Sequence, residues 1–367
     1  MGRDAAPSLE GPRVVAEPCP GRSMTRPRAR RPVRFAGRKV AVTGGTGYLG
    51  GAVVRDLVRE GAEVTVLARR PEAAAHLAGR PGVRLAKADV ARPETLDLAG
   101  HDTVVHAAAW VAFGIPKRKR ERFWKTNVDG TRHVVEAARK AGVARFVHVS
   151  SIAALGDTRG TVADESFVPG EGHRSFYEVT KRAAHAVALA ADSPELAVSA
   201  VMPAVIVGLP APWQDGGRAS VRGPMDGLLD RFAAGRWLPT PSGDGPTSFV
   251  HVDDVAEGVL LAALRGGGPY LLTDTDCTFH EFFARLGRAI GRPEPRARVP
   301  LPVLRAALWT MERTYHALGK VPPASTELAA SLAADMRYDS SKARKDLGWE
   351  PDLWGKLRRD YLLLAQA

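Results

Sequence analysis

Residues 43–50 read Thr-Gly-Gly-Thr-Gly-Tyr-Leu-Gly. The short apolar run Lys39–Thr43 (KVAVT) precedes them. Tyr48–Glu60 follows, with Leu49, Val53, Leu57 and Val58 at helical spacing. A strand, a glycine turn and a helix in that order open a βαβ unit. Gly44, Gly47 and Gly50 form G-x-x-G-x-x-G. The first glycine permits the tight turn, the second lets backbone approach a pyrophosphate, and the third lets the helix pack close to the sheet. The helix N-terminus then presents free N–H groups and the positive end of its dipole to the phosphates. The stretch therefore predicts a dinucleotide-binding turn.

The pattern repeats outward. Gly61 stops the first helix. Further strands are expected at Glu63–Leu67, Val83–Lys87, Thr103–Ala107, Arg145–Ser150 and Ala197–Met202, the last two each preceded by a helical segment. Alternating strands and helices predict an α/β fold, a Rossmann-type doubly wound parallel sheet. Beyond Gly208 the texture loosens, with many Pro and Gly in 208–247. Ser248–Val252 reads as a strand, and Asp253–Leu264, 278–291 and Pro300–Leu318 as helices. Thr278 with Glu281 makes a capping box, as does Ser175 with Glu178. The expected organisation is a cofactor-binding Rossmann core at 39–207, completed by 248–275. A smaller C-terminal substrate-binding lobe would come from 208–247 and 276–367.

The second strand ends V-L-A-Arg69-Arg70. An NAD site usually carries Asp or Glu there for the ribose 2′-hydroxyl. Two guanidiniums suit a 2′-phosphate instead. The expected cofactor is NADP(H), with NAD(H) the second choice. Asp89, after the third strand, can accept a hydrogen bond from the adenine amino group. Ala107, Ala108 and Ala109, at the end of the fourth strand, leave room for cofactor.

Composition narrows the partners. The chain has 367 residues, 45% hydrophobic and 25% charged, with net charge +12. Residues 1–38 hold nine Arg against three acids, half of that net charge in about a tenth of the chain. This segment is rich in Pro, Gly and Arg without apolar periodicity, and reads as a disordered basic tail. Met24 within it is an alternative start. With the charge concentrated there, the remainder gives no reason to expect a nucleic-acid partner. No apolar region follows Arg30-Arg31 to make an export signal, and no run of about 18 apolar residues suggests a membrane span. Cys19 and Cys277 lack metal or redox spacing, which fits a reducing cytoplasm. His133, His148, His185 and His251 have no metal-ligand spacing, so no metal is expected.

The chain resembles the extended short-chain dehydrogenase/reductase family from Lys39 nearly to its C-terminus. The marks are TGGTGYLG, Asp89, HAAA at 106–109, NVDGT at 127–131, VSS at 149–151, Y-x-x-x-K at 177–181, PAVIVG at 203–208, HVDDVA at 251–256 and YDSSKARKDLGWEP at 338–351. The resemblance implies Tyr177 as catalytic acid/base, Lys181 as its helper and Ser151 as the hydroxyl that positions the substrate oxygen. Ser150 would be structural, and Asn127 would support a proton path. It also implies a cofactor site on Gly44, Thr46, Gly47, Tyr48, Leu49, Gly50, Arg69, Arg70, Asp89, Val90, Ala107, Ala108, Ala109, Lys181, Pro203, Val205 and Ile206.

Residue chemistry agrees. In ketone reduction a hydride goes to carbon and a proton to the developing alkoxide. A tyrosine of pKa ~10 is a poor base near neutrality. An ammonium four residues on, on the same helical face, is expected to lower that pKa.

Family members that act on sugar nucleotides carry arginines at two positions that are Thr247-Ser248 and Met202 here. The C-terminal half is closer to the 3β-hydroxysteroid dehydrogenase and dihydroflavonol reductase branch. These features predict an enzyme that interconverts a ketone and a secondary alcohol on a fairly apolar small-molecule substrate. A nucleotide-sugar epimerase or dehydratase is the alternative, and a non-catalytic NADP-binding regulator a further one. Trp213, Trp237 and Trp309 could line an apolar pocket or form lobe core. Val134, Val135 and Ala138 with Ala183, Ala184 and Val187 would allow a homodimer, or could be intrachain core. Lys117–Arg120 could attract an acidic substrate or partner, although a solvated helix face is the commoner explanation.

Overall fold

The apolar run at β1 (Lys39–Thr43) is an interior strand of a seven-stranded sheet. The computed structural model describes residues 35–213, 215–216, 221–236 and 239–366. The tail 1–34, with Cys19 and Met24, and Trp237 lie outside the described residues. The strands that follow are β2 (Glu63–Ala68), β3 (Val83–Lys87), β4 (Thr103–His106), β5 (Arg145–Val149), β6 (Ala197–Pro203), β7 (Val205–Val207), β8 (Thr240–Ser242), β9 (Thr247–His251), β10 (Gly268–Leu272), β11 (Thr275–Cys277) and β12 (Arg298–Pro300). The large sheet has the order β10-β6-β5-β4-β1-β2-β3, and every neighbouring pair is parallel. The order reverses between β1 and β4, and at such a switch point an α/β sheet opens a crevice beyond its strand ends.

The helices are α1 (Tyr48–Arg59), α2 (Lys117–Trp124), α3 (Gly130–Lys140), α4 (Phe176–Leu189), α5 (Asp226–Ala233), α6 (Val252–Arg265), α7 (Phe279–Ile290), α8 (Leu301–Ala317), α9 (Thr326–Leu332) and α10 (Leu353–Gln366). Alternation along the strands loads both faces of the sheet. Val40 and Val42 pack with Val53 and Leu57 of α1 and Val255 and Val259 of α6. Ala41, Val104, Phe146 and Val198 point the other way, into Val134 and Ala138 of α3. Both layers are closed by aliphatic side chains that are almost wholly inaccessible. Each such side chain gains about 1.5–3 kcal/mol from burial.

After Pro203 the chain leaves the large sheet. β7 continues one residue later and pairs with β9 in a three-stranded sheet with β11. Phe249, Phe282, Phe283, Leu229 and Leu357 build a separate apolar cluster there, between α5, α7 and α10. No helix among the described residues is long and apolar enough to cross a membrane.

Two groups of residues singled out in the sequence find their places at this level. Val134, Val135, Ala138 and Ala184 are buried within the chain, because α3 and α4 use those faces against the sheet. These four are intrachain core, the second of the two readings, while Ala183 and Val187 of α4 are half-buried. The basic run at Lys117–Arg120 is divided: Lys117 and Arg118 are exposed, while Arg120 lies over the Phe176 ring at 5.0 Å.

Candidate active site

The glycine turn is built against the end of β4. Gly44 has φ +72°, and a Cβ there would lie 2.6 Å from the Ala107 carbonyl carbon and the Ala108 nitrogen. A Cβ on Gly50 would lie 2.1 Å from the Gly44 oxygen. Any side chain at either position would push the turn off the sheet. Gly47 is the N-cap of α1 and donates to the Gly44 carbonyl at 2.9 Å. No side chain caps this end of α1, so its leading N–H groups remain available to an anion. Thr46 and Leu49 are half-buried beside it. Tyr48 turns away, and its hydroxyl donates to the Gly208 carbonyl. Only its backbone can face a phosphate.

Arg69 and Arg70 are both exposed at the end of β2. One Asp89 carboxylate oxygen accepts from the Ala91 N–H at 3.0 Å. Val90 is buried against Gly130. Ala107, Ala108 and Ala109 are half-buried along the crevice floor. Pro203 is buried, and Val205 and Ile206 half-buried, where the chain passes between sheets. These residues fit a nicotinamide dinucleotide: an uncapped helix end and a side-chain-free cradle for the pyrophosphate, with two cations at the ribose end.

Beyond β5, Ser151 caps a short 3-10 turn, its Oγ accepting from the Ala153 N–H at 3.1 Å. The same serine is near enough to the Tyr177 hydroxyl to favour its ionised form. Ser150 is buried and paired with His185 Nδ1 at 3.1 Å. It faces the interior, on the opposite side from the crevice residues. Tyr177 and Lys181 share one face of α4 and are both buried. The helix start is set by Ser175, whose Oγ accepts from the Glu178 N–H at 3.1 Å. The expected reciprocal box is only half formed: the Glu178 carboxylate takes the Arg174 N–H at 2.9 Å and its Nε at 2.9 Å. Thr278 and Glu281 do form the full box on α7.

The expected lowering of the Tyr177 pKa by Lys181 is not what the arrangement produces. Burial pushes the phenol up to about 12, opposed only by the Ser151 side chain nearby. Burial also brings the Lys181 amine down to about 8, and its Nζ donates to the Val149 carbonyl at 2.9 Å. In this state Tyr177 is a neutral phenol, a proton donor rather than a base.

Asn127 sits in a π-helical turn, Lys125–Asp129, between α2 and α3. Its Oδ1 accepts from the Trp110 N–H at 2.7 Å, and its Nδ2 donates to the Trp110 carbonyl at 3.0 Å and the Thr180 Oγ1 at 3.2 Å. The side chain thus ties the loop after β4 to α4. Thr43, His106 and Thr131 form a buried hydrogen-bonded row beneath it, at 2.7 and 3.0 Å. His106 is held neutral, its pKa brought down to about 3 by burial and then by Lys181.

Of the two readings made of the tryptophans, core holds for Trp213. Trp213 is buried under the Arg80 guanidinium, 4.3 Å from its centroid, in a hollow with Arg55, Val58 and Arg59. Those residues lie on the far half of α1, roughly 10–15 Å along the helix from the glycine turn. Trp309 is exposed on α8. The aromatic rings beside Tyr177 come from the loop after β4. Phe113 meets Tyr177 edge-on at 5.9 Å, and Trp110 packs on Phe123 at 5.2 Å. The stretch Trp110-Val-Ala-Phe113, directly following the small residues 107–109, was the available signal. Glu327 of α9 locks this loop, accepting from the Gly114 N–H at 2.7 Å.

Thr247 and Ser248, where an arginine would grip a sugar nucleotide, are buried in β9, and Ser248 Oγ donates to Asp276 at 2.6 Å. His251 caps α6 and pairs with Asp360 at 2.8 Å.

Residues 40–270 match the model of the "NAD dependent epimerase/dehydratase family". A putative dihydroflavonol 4-reductase of Synechocystis sp. is 31% identical, over 84% of this chain and 88% of that protein. A 4-hydroxy-2-methyl-3-oxo-4-farnesyl-3,4-dihydroquinoline-1-oxide ketoreductase of Stigmatella aurantiaca is 33% identical, over 84% of this chain and 90% of that protein. Among solved structures, UDP-glucose 4-epimerase from Thermotoga maritima superposes with a TM-score of 0.67, covering 89% of this chain and 97% of that one. At 21% identity this likeness concerns the fold alone.

Proposed function

The chain belongs to the NAD dependent epimerase/dehydratase family, and from that premise we propose an NADP(H)-dependent oxidoreductase that interconverts a ketone and a secondary alcohol on a fairly apolar substrate. The observation that carries this reading is that Ser151 lies near enough to the Tyr177 hydroxyl to oppose its rise in pKa, with Phe113 edge-on beside that ring. A bound nicotinamide dinucleotide would supply the hydride. Ser151 Oγ and the Tyr177 hydroxyl would both donate to the ketone oxygen. Tyr177 gives up its proton as the alkoxide develops. Burial keeps that proton on the phenol until then. Lys181 would reach the ribose hydroxyls and stabilise the phenolate left behind. Asn127 holds the loop that carries Trp110 in register with α4.

Arg69 and Arg70 support the choice of NADP(H), since both are free to meet a 2′-phosphate. The aromatic surround of Tyr177 supports an apolar substrate, and the relatives named as reductases support the reaction. The buried Thr247 and Ser248 leave no cation for a sugar nucleotide at that position. In domain terms, 39–207 with 248–275 would hold the cofactor, and 208–247 with 276–367 would shape the substrate side. A reducing cytoplasm suits Cys277, a buried thiol whose pKa burial pushes up to about 12.

The experiment is NADPH oxidation by the purified chain across a panel of aryl, steroid and 3-oxoacyl ketones. Turnover with apolar ketones is expected. Epimerisation of a sugar nucleotide without net NADPH consumption would overturn the reading.

A further inference from the structure

Ser150 and Ser151 are neighbours that look opposite ways. Ser150 is buried on the interior side. Ser151, in extended backbone at φ −170° and ψ 155°, carries its Oγ on the Tyr177 side. Side chains alternate along an extended chain, so whatever holds Ser150 on one side orients Ser151 on the other. The Ser150 backbone N–H donates to the Val201 carbonyl of β6 at 2.8 Å. Its hydroxyl is paired with His185 Nδ1 at 3.1 Å. His185 lies one turn beyond Lys181 on α4, and Lys181 Nζ donates to the Val149 carbonyl at 2.9 Å. Two side chains four residues apart thus hold two successive residues of the strand end. Arg182, between them, donates from Nε to the Ala154 carbonyl at 3.2 Å, at the end of the 3-10 turn that Ser151 caps. Burial, then Lys181, brings the His185 pKa down to about 4. The ring is therefore neutral near neutral pH, and a neutral imidazole can meet a hydroxyl as donor or acceptor.

Lys181 has a part in the chemistry, whereas His185 is engaged on the interior side only. We propose that His185 is a positioning residue: by holding Ser150 it keeps Ser151 Oγ beside the Tyr177 hydroxyl, where both can reach one ketone oxygen. This role rests on the catalytic reading of Ser151 and Tyr177. Two donors that serve one oxygen must each come within about 2.7–3.1 Å of it. A displacement of ~1 Å in either costs on the order of a hundred-fold in rate. The cap made by Ser151 gives a gauge of its placement that needs no turnover. Its Oγ accepts from the Ala153 N–H at 3.1 Å, so amide exchange at Ala153 quickens when Ser151 moves away.

The test compares His185→Ala, His185→Asn, Ser150→Ala and the double variant His185→Ala with Ser150→Ala, all in the full chain. In NADPH-dependent reduction of an apolar ketone, His185→Ala should lower kcat about ten- to a hundred-fold. Its KM for NADPH should stay within a factor of about two. Ser150→Ala should show the same loss of kcat, and the double variant no further loss, because the two side chains act as one unit. The Asn side chain puts a polar atom where Nδ1 sits, and His185→Asn should restore most of kcat. Hydrogen exchange at Ala153, followed by mass spectrometry, should quicken in the alanine variants and recover in His185→Asn, with the β1 amides unchanged in all. Unchanged kcat and Ala153 exchange in His185→Ala would overturn the role. So would losses that multiply in the double variant, or an Asn variant no better than Ala. Exchange that rises equally at Ala153 and in β1 would make His185 a general stabiliser, which also overturns it. A wild type that binds NADPH and reduces no ketone would refute the proposed reaction instead, and exchange at Ala153 then decides whether His185 places Ser151.

Discussion

The Lys181 amine donates to the Val149 carbonyl at 2.9 Å, two residues before Ser151. This bond fastens α4 to the end of β5 and so helps hold the Tyr177 hydroxyl near Ser151. It also holds the amine in a desolvated position, which brings its pKa down to about 8. The amine is charged below that pH and loses its charge above it. Affinity for NADPH, measured by fluorescence titration, should therefore fall as pH rises through about 8, and Lys181→Met should bind more weakly with no such step. The unfolded chain holds this proton up to a pKa of about 10.4, so it carries more protons than the folded chain between the two values. Stability from this residue should accordingly rise with pH in that window. An unchanged step in the variant would assign the titration elsewhere.

Tyr177→Phe keeps the ring that packs on Phe113 and removes only the hydroxyl. Its kcat should fall about 10²–10⁴-fold, the range for a lost general acid. NADPH affinity should stay within a factor of about two, since the phenol lies outside the phosphate cradle. Steady-state kinetics alongside cofactor titration separate the two. Full activity would reduce α4 to a structural helix.

Arg69→Ala and Arg70→Ala should each raise KM for NADPH and leave NADH use nearly unchanged. A charged hydrogen bond contributes about 1.5–3 kcal/mol, so losses on the order of ten- to a hundred-fold are expected in kcat/KM with NADPH. Comparing both cofactors in each variant checks the assignment. A wild-type preference for NADH would remove its basis.

Glu327→Ala leaves the Gly114 N–H without its partner. Such an orphaned donor costs about 1–3 kcal/mol, which thermal unfolding should register as a lowered Tm. Because Gly114 follows Phe113, kcat for an apolar ketone should also drop, while NADPH affinity should not move. Glu327→Gln retains an acceptor oxygen and should restore most of both losses. If Gln is no better than Ala, the carboxylate is not acting through this bond.

Much of the core was legible because its signals are local. The run at 39–43 and the glycines at 44, 47 and 50 are short-range constraints, and β1, the turn and α1 appear where they predict. Along β1, Val40 and Val42 join one apolar cluster and Ala41 the other, as the two-residue period of a strand requires. What failed was non-local. Glu178 had two donors within reach, and the nearby Arg174 guanidinium drew it away from the box that its spacing suggests. Trp213 and Trp309 were candidates by type alone, and type does not say which side of a helix or loop will close on the crevice.

Spacing by itself determined a strand–turn–helix that can cradle a pyrophosphate and put Tyr177 and Lys181 on one helical face, because both depend on backbone geometry over a few residues. Only the tertiary structure decided their chemical state and surroundings. It raised the phenol and lowered the amine through burial. It brought Phe113 to Tyr177 across 64 residues and Glu327 to Gly114 across 213. Desolvation and contact are properties of packed neighbours, and a chain's neighbours in space are not written at any one position.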